Sequence, residues 1–176
     1  MKYLLFMITL LSATSSQVIF EFNKKSELKN WVIVDDVVMG GRSSGSFKLN
    51  SDGLGVFEGT VSTENYGGFS SLRYRFKRKS TKGYSKIIMK LKGDGKKFQF
   101  RIKANSSDYY SYSIPFVTTG KWQEIEIYLK DLVPTFRGRT VDKPNFDNDS
   151  FEELTFLFGN KKNEKFKLML DKIELK

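Results

Sequence analysis

Asp35 and Asp36 stand side by side at the end of an apolar run, WVIVDDVVMGGRSSG over residues 31–45. Acids in such a place are candidates for acid–base chemistry or for holding a hard cation. Hydrolysis of a glycosidic bond needs two carboxyl groups flanking that bond. On extended backbone, adjacent side chains point to opposite faces, so these two cannot flank one bond together. Either would have to be matched with a distant acid such as Asp94, Asp142 or Asp147. A calcium site is the better use for isolated carboxylates, but no regular spacing of oxygen ligands surrounds them. The reading the residues favour is that one aspartate caps the turn through neighbouring N–H groups while the other faces solvent. The glycine corner of residues 40–45 adds Arg42, the Ser43 hydroxyl and backbone N–H groups, which can hold a ligand oxygen. It lacks both the Lys-Ser/Thr ending of a phosphate loop and a following helix.

Absent residue types exclude more than the present ones assign. The chain has no cysteine and no histidine. That removes Cys and His nucleophile–base pairs, histidine triads, structural zinc and covalent haem together. No catalytic residue, metal or cofactor is assigned. Thirty Lys and Arg stand against 20 Asp and Glu, a formal charge of +10. A nucleic-acid partner would want these cations clustered with exposed aromatics. They are instead scattered over turns and strand ends, as solvated faces and protected edges are. No specific nucleic-acid partner is expected.

Two further groups are recognition candidates. Alternation must turn some of Tyr109, Tyr110 and Tyr112 outward, and Tyr110 and Tyr112 are taken as possible contacts for a sugar or a protein. Trp31 and Trp122 each begin an apolar strand, where packing into the core is the commoner fate. Arg137 and Arg139 flank Gly138 in the longest stretch without a pattern, residues 136–150. Two guanidiniums there offer forked donors to a carboxylate or phosphate. An internal pairing of Arg137 with Asp35 or Asp36 is the competing reading.

These side chains need a scaffold, and the period of the sequence supplies one. Lys2, the apolar run of residues 4–11 and the small residues 13–16 read as a secretory signal of residues 1–16. The run is shorter than the roughly 20 residues that span a bilayer. Residues 17–176 are then one exported domain, periplasmic or extracellular, with no transmembrane segment. Residues 18–22 begin a succession of short alternating runs. Phe98, Phe100 and Ile102 alternate with Gln99, Arg101 and Lys103, and Leu72, Tyr74 and Phe76 with Arg73 and Arg75. Asp94-Gly95 marks a hairpin between two such runs. Short strands at near-regular spacing, without a convincing helix, predict an all-β fold, an antiparallel β-sandwich.

The runs DDVVMGGRSSG (residues 35–45), GGFSSLR (residues 67–73) and FRG (residues 136–138) occur in the order and spacing of the CIA30 family. The chain resembles that family, which is named for the mitochondrial complex I intermediate-associated protein 30, from about residue 18 onward. The resemblance implies a galactose-binding-domain-like jelly roll, and a non-catalytic module similar to assembly chaperones of respiratory complex I. A protein partner, respiratory complex subunits among them, is therefore expected. The alternatives are an exported module that binds a glycan and, more remotely, a hydrolase built on carboxylates. The candidate contacts are Asp35, Asp36, Arg42, Ser43, Tyr110, Tyr112, Arg137 and Arg139.

Overall fold

The computed structural model describes residues 16–176, so almost all of the expected signal segment lies outside the described residues. Two antiparallel sheets face each other. One contains β1 (Gln17–Glu21), β3 (Ser44–Leu49), β4 (Gly55–Val61), β6 (Lys86–Gly93), β9 (Gln123–Tyr128) and β13 (Glu164–Leu175). Its order is β3-β4-β13-β6-β9, with β1 also paired to the long β13. The other contains β2 (Trp31–Asp35), β5 (Ser70–Ser80), β7 (Lys97–Lys103), β8 (Ser111–Val117), β10 (Val133–Phe136), β11 (Arg139–Thr140) and β12 (Ser150–Phe158). Its order is β11-β10-β8-β7-β12-β5-β2. Among the described residues the helical turns are three short 3-10 segments. The all-β sandwich is the architecture that the alternation predicts.

The core lies between the sheets and is largely aromatic. Phe57, Phe98, Phe158 and Phe166 pack together, with Phe158 and Phe166 stacked at 4.6 Å. Trp31 stacks on Tyr74 at 4.4 Å beside Phe20, Phe22 and Phe47. Rings of this size bury much apolar area per residue and hold two sheets together without a disulfide. Trp31 is thus a core residue, as expected. Trp122 is not: it is 42% exposed. It precedes β9 in phase with the exposed Glu124, Glu126 and Tyr128, while Ile125 and Ile127 face inward. Period decides its face, and the apolar character of the strand does not.

The stretch without a pattern also departs from expectation. A hairpin, β10 to β11, leads into it, with Thr135 opposite Thr140 and Phe136 opposite Arg139. Arg137 (φ 49°) and Gly138 (φ 76°) form its two-residue tip. Positive φ at both central positions is the condition for a type I′ turn, which matches the twist of the flanking strands. Pro134 disguises β10 in the sequence. A proline is tolerated here because β10 lies next to the sheet edge, beyond which only the two residues of β11 pair.

Candidate functional site

Outward-facing residues of the seven-stranded sheet line up in rows across the strands. One row runs Val32, Arg73, Thr155, Arg101, Ser113 and Val133. A second begins with Arg75, Glu153 and Lys103 and continues through Ser111 to Thr135. Arg73, Thr155 and Arg101 of the first row, most of the second, and a third row of Val34, Ser71 and Leu157 form the floor of a groove of about 840 Å³. Its walls come from opposite edges of the sheet. On one side stand Val38, Met39 and Tyr66, from the loops after β2 and before β5, and on the other Tyr109, Phe136 and Arg137. Tyr66 is fully exposed, and the β10–β11 tip holds Arg137 over the Phe136 ring at 5.2 Å.

The groove's charge is strongly one-sided. Arg73, Arg101, Lys103, Arg137 and Lys161 line it, and among the described residues Glu153 is its one acid. Glu153 is buried and already taken, since Arg75 Nε donates to its Oε2 at 2.8 Å. Lys103 Nζ donates to the Asp108 carbonyl at 2.6 Å. Among the described residues Arg101 spends only its Nε–H, on Gln99 Oε1 at 2.6 Å. Burial first, and then the like charge of Arg73, push the Arg101 guanidinium down to about 10.

The acid–glycine corner is placed behind one wall of this groove, and it does a different job. Asp36 is completely buried at the start of a 3-10 turn (Asp36–Met39). Its carboxylate accepts from the Ser43 N–H at 2.9 Å, the Gly68 N–H at 2.6 Å and the Phe69 N–H at 3.2 Å. It also accepts a short hydrogen bond from the Ser43 hydroxyl. Ser43 Oγ in turn accepts from the Ser62 N–H at 3.0 Å. The knot therefore ties the loop after β2, the loop before β5 and the end of β4, which join both sheets. Burial alone would raise the Asp36 pKa. The hydrogen bonds from Ser43, Gly68 and Phe69 together outweigh it and hold the carboxyl below its ordinary value.

Space around Asp36 explains the glycines. A Cβ on Gly41 would stand 2.3 Å from Asp36 Oδ1, and one on Gly67 would stand 2.6 Å from Oδ2. The two Gly-Gly runs of the sequence thus owe one glycine each to a single carboxylate.

Asp35 takes the Gly45 N–H at 2.9 Å. Capping of the turn by an aspartate is what the sequence implies, but the second aspartate does not face solvent; it bonds inward as well. Ser43 is buried in the knot. Arg42 pairs on the surface with Glu64 at 2.8 Å. Arg137 lines the groove and is not paired with Asp35 or Asp36, whereas Arg139 is exposed on β11. Tyr112 is buried on the core side of β8, where its hydroxyl accepts from Asn148 Nδ2 at 3.1 Å and shares a hydrogen bond with the Tyr110 hydroxyl at 3.4 Å. That bond, with burial, pushes the Tyr110 phenol up to about 12. The residue of β8 that lines the groove is Ser111 instead. Of the candidates, then, the structure brings Asp35, Asp36 and Ser43 together as a structural knot and leaves Arg137 in the groove. The groove residues that sequence reasoning missed are Arg73, Arg101, Lys103 and Glu153. Alternation marks all but Glu153 as outward, yet only the insertion of β12 between β5 and β7 makes them neighbours.

The model of the family described as Complex I intermediate-associated protein 30 (CIA30) matches residues 20–170, most of the chain. The chain belongs to the CIA30 family. It is 24% identical to the mitochondrial Complex I intermediate-associated protein 30 of Drosophila melanogaster, over 73% of this chain and 51% of that protein. With the Mus musculus protein of the same name it shares 24% identity, over 89% of this chain and 55% of the relative. This CIA30 chain therefore spans about half the length of those relatives. In structure it is similar to the family 11 carbohydrate-binding module of a cellulosomal cellulase of Clostridium thermocellum. The TM-score is 0.69 at 17% identity, over 93% of this chain and 95% of that one. That likeness is one of fold, a jelly-roll sandwich shared by the CIA30 chain.

Proposed function

We propose that this CIA30 domain is a non-catalytic binding module and that the groove on its seven-stranded sheet is the binding surface. The observation that carries the reading is the lining itself. It offers guanidiniums, hydroxyls and exposed rings, but its one carboxylate is engaged by Arg75. A hydrolase working through two opposed acids would need a second, and Asp35 and Asp36 are committed to backbone N–H groups. Recognition without transformation is what such a surface offers.

Family membership favours a protein partner, since the relatives carry the name of association with complex I intermediates. The apolar leader read from residues 4–11 favours export, so the partner would be met outside the cytoplasm. The groove supports a second reading, a glycan, because Tyr66, Tyr109 and Phe136 present exposed rings around a floor of hydroxyls.

A filled groove is the test. Ser111→Trp is expected to abolish retention of whatever partner the native domain holds in a purified complex or on a glycan array. Glu124→Trp, on the outer face of the other sheet, is expected to leave retention within about twofold, as changes outside a contact surface do. The reverse pattern would move the binding surface to the other sheet and end the reading.

A further inference from the structure

The floor of the groove carries two cations that no carboxylate of the described residues pairs with. Arg73 and Arg101 flank Thr155 in register on β5 and β7, either side of β12. With strands about 4.8 Å apart, the two backbones are separated by about 10 Å. Neither arginine makes an ion pair among the described residues, while Arg75 and Arg78 on the same sheet each hold a glutamate. The Nη groups of Arg101 find no acceptor among the described residues. Like charges set close together on a partly desolvated floor oppose each other, and an anion bound between them relieves both.

We infer that the groove takes an acidic polysaccharide, its uronate carboxylates held by Arg73 and Arg101 and its sugar rings by Tyr66 and the Tyr109–Phe136 pair. The inference rests on the groove being the binding surface and names the chemistry of what binds there. Guanidinium forks match planar carboxylates in bidentate geometry. Exposed rings on both walls suit the flat faces of pyranoses, and Tyr109 and Phe136 are already braced edge to face at 5.3 Å.

An acidic peptide satisfies the same charges less well. An extended peptide gains affinity chiefly by pairing its backbone with a sheet edge or by seating side chains in apolar pockets. Arg73 and Arg101 lie on interior strands whose edges are already paired. Ser111, Thr135 and Thr155 give hydroxyls to the rows that hold the arginines, and the floor's apolar residues, Val34 and Leu157, lie in the row beyond.

Calorimetric titration of the full chain with a hexameric oligogalacturonate, at physiological salt, tests this. Cellohexaose and poly-L-glutamate are the neutral and peptidic comparisons. Saturable binding of the oligogalacturonate is expected, weakened about tenfold or more by either Arg73→Gln or Arg101→Gln. The double variant Lys24→Gln/Lys25→Gln, which removes two charges far from the groove, is expected to bind within about twofold of the native chain. Without ligand, Arg101→Gln is expected to unfold no earlier than the native chain, because it removes a crowded charge. Equal weakening by the Lys24/Lys25 variant, or no saturable binding, would overturn the inference. So would tight binding of poly-L-glutamate alone. Cellohexaose binding that is lost in Ser111→Trp would also overturn it, while leaving the groove as the binding surface.

Discussion

Replacing Asp36 by alanine is expected to cost about 4 kcal/mol of folding free energy. The side chain is buried and meets three backbone N–H groups and a hydroxyl, so its removal strands several buried donors at once. Leaving a buried donor unpaired costs about 1–3 kcal/mol, and bonds to a charged acceptor lie at the upper end. For a domain of this size the midpoint of thermal unfolding should fall by about 10 °C. Asp36→Asn is expected to lose nearly as much, since its NH2 group would confront N–H donors. The acid's contribution also depends on pH. Its folded pKa is depressed, so the stabilisation is complete well above the ordinary value of 3.8 and is lost as pH falls from there through the folded value. The gap between the native chain and Asp36→Asn should therefore narrow in acid and stay constant near neutrality. Chemical unfolding at both pH values measures it; a neutral-pH loss below about 1 kcal/mol would show that the knot is dispensable.

Gly41→Ala is expected to cost about 3 kcal/mol, and about half of that cost or more should vanish when Asp36 is absent. Gly41 does not have the left-handed φ that penalises an L side chain. Its nearest obstacle is Asp36, whose Oδ1 and Cγ would lie 2.3 and 2.4 Å from the added methyl. In an Asp36→Ala background those two atoms are gone and the nearest that remains is the Cβ, at 2.9 Å. The double-mutant cycle should show a coupling of about 1.5 kcal/mol or more. Gly95→Ala is the comparison. Nothing stands near a methyl there, but its φ of +85° is unfavourable for alanine. It should cost about 1 kcal/mol in either background. Equal costs for Gly41→Ala with and without Asp36 would refute the steric account.

Much of this fold is legible in the chain because its information is local. Phe98-Gln99-Phe100-Arg101-Ile102 declares a half-buried strand by period alone, and Asp94-Gly95 declares the turn before it. Trp122 illustrates the limit of reasoning from residue type: a large ring suggests the core, yet its phase with Glu124 and Glu126 already places it outside. The strand at residues 133–136 is hidden because a proline interrupts the pattern, although Arg137-Gly138 fits a type I′ tip once the strands are known. The site is less legible than the fold for a physical reason. Arg73 and Arg101 are neighbours only across β12, whose Thr155 follows them by about 80 and about 50 positions in the chain. Asp36 misleads in the opposite way. A conspicuous acid beside glycines looks like chemistry, and its burial under four donors becomes visible only when residues 43, 68 and 69 are in place.

The pairing of Gln17 with Leu175 on β1 and β13 has a practical consequence. The two ends of the described chain meet on the sheet that turns away from the groove, so a short linker can join them there. Cutting the chain instead at the exposed turn near Gly95 would yield a circular permutant with the same strand neighbours. Such a permutant would keep its binding face open while displaying new termini at the opposite end of β6 and β7, a ready handle for mounting the domain on a surface.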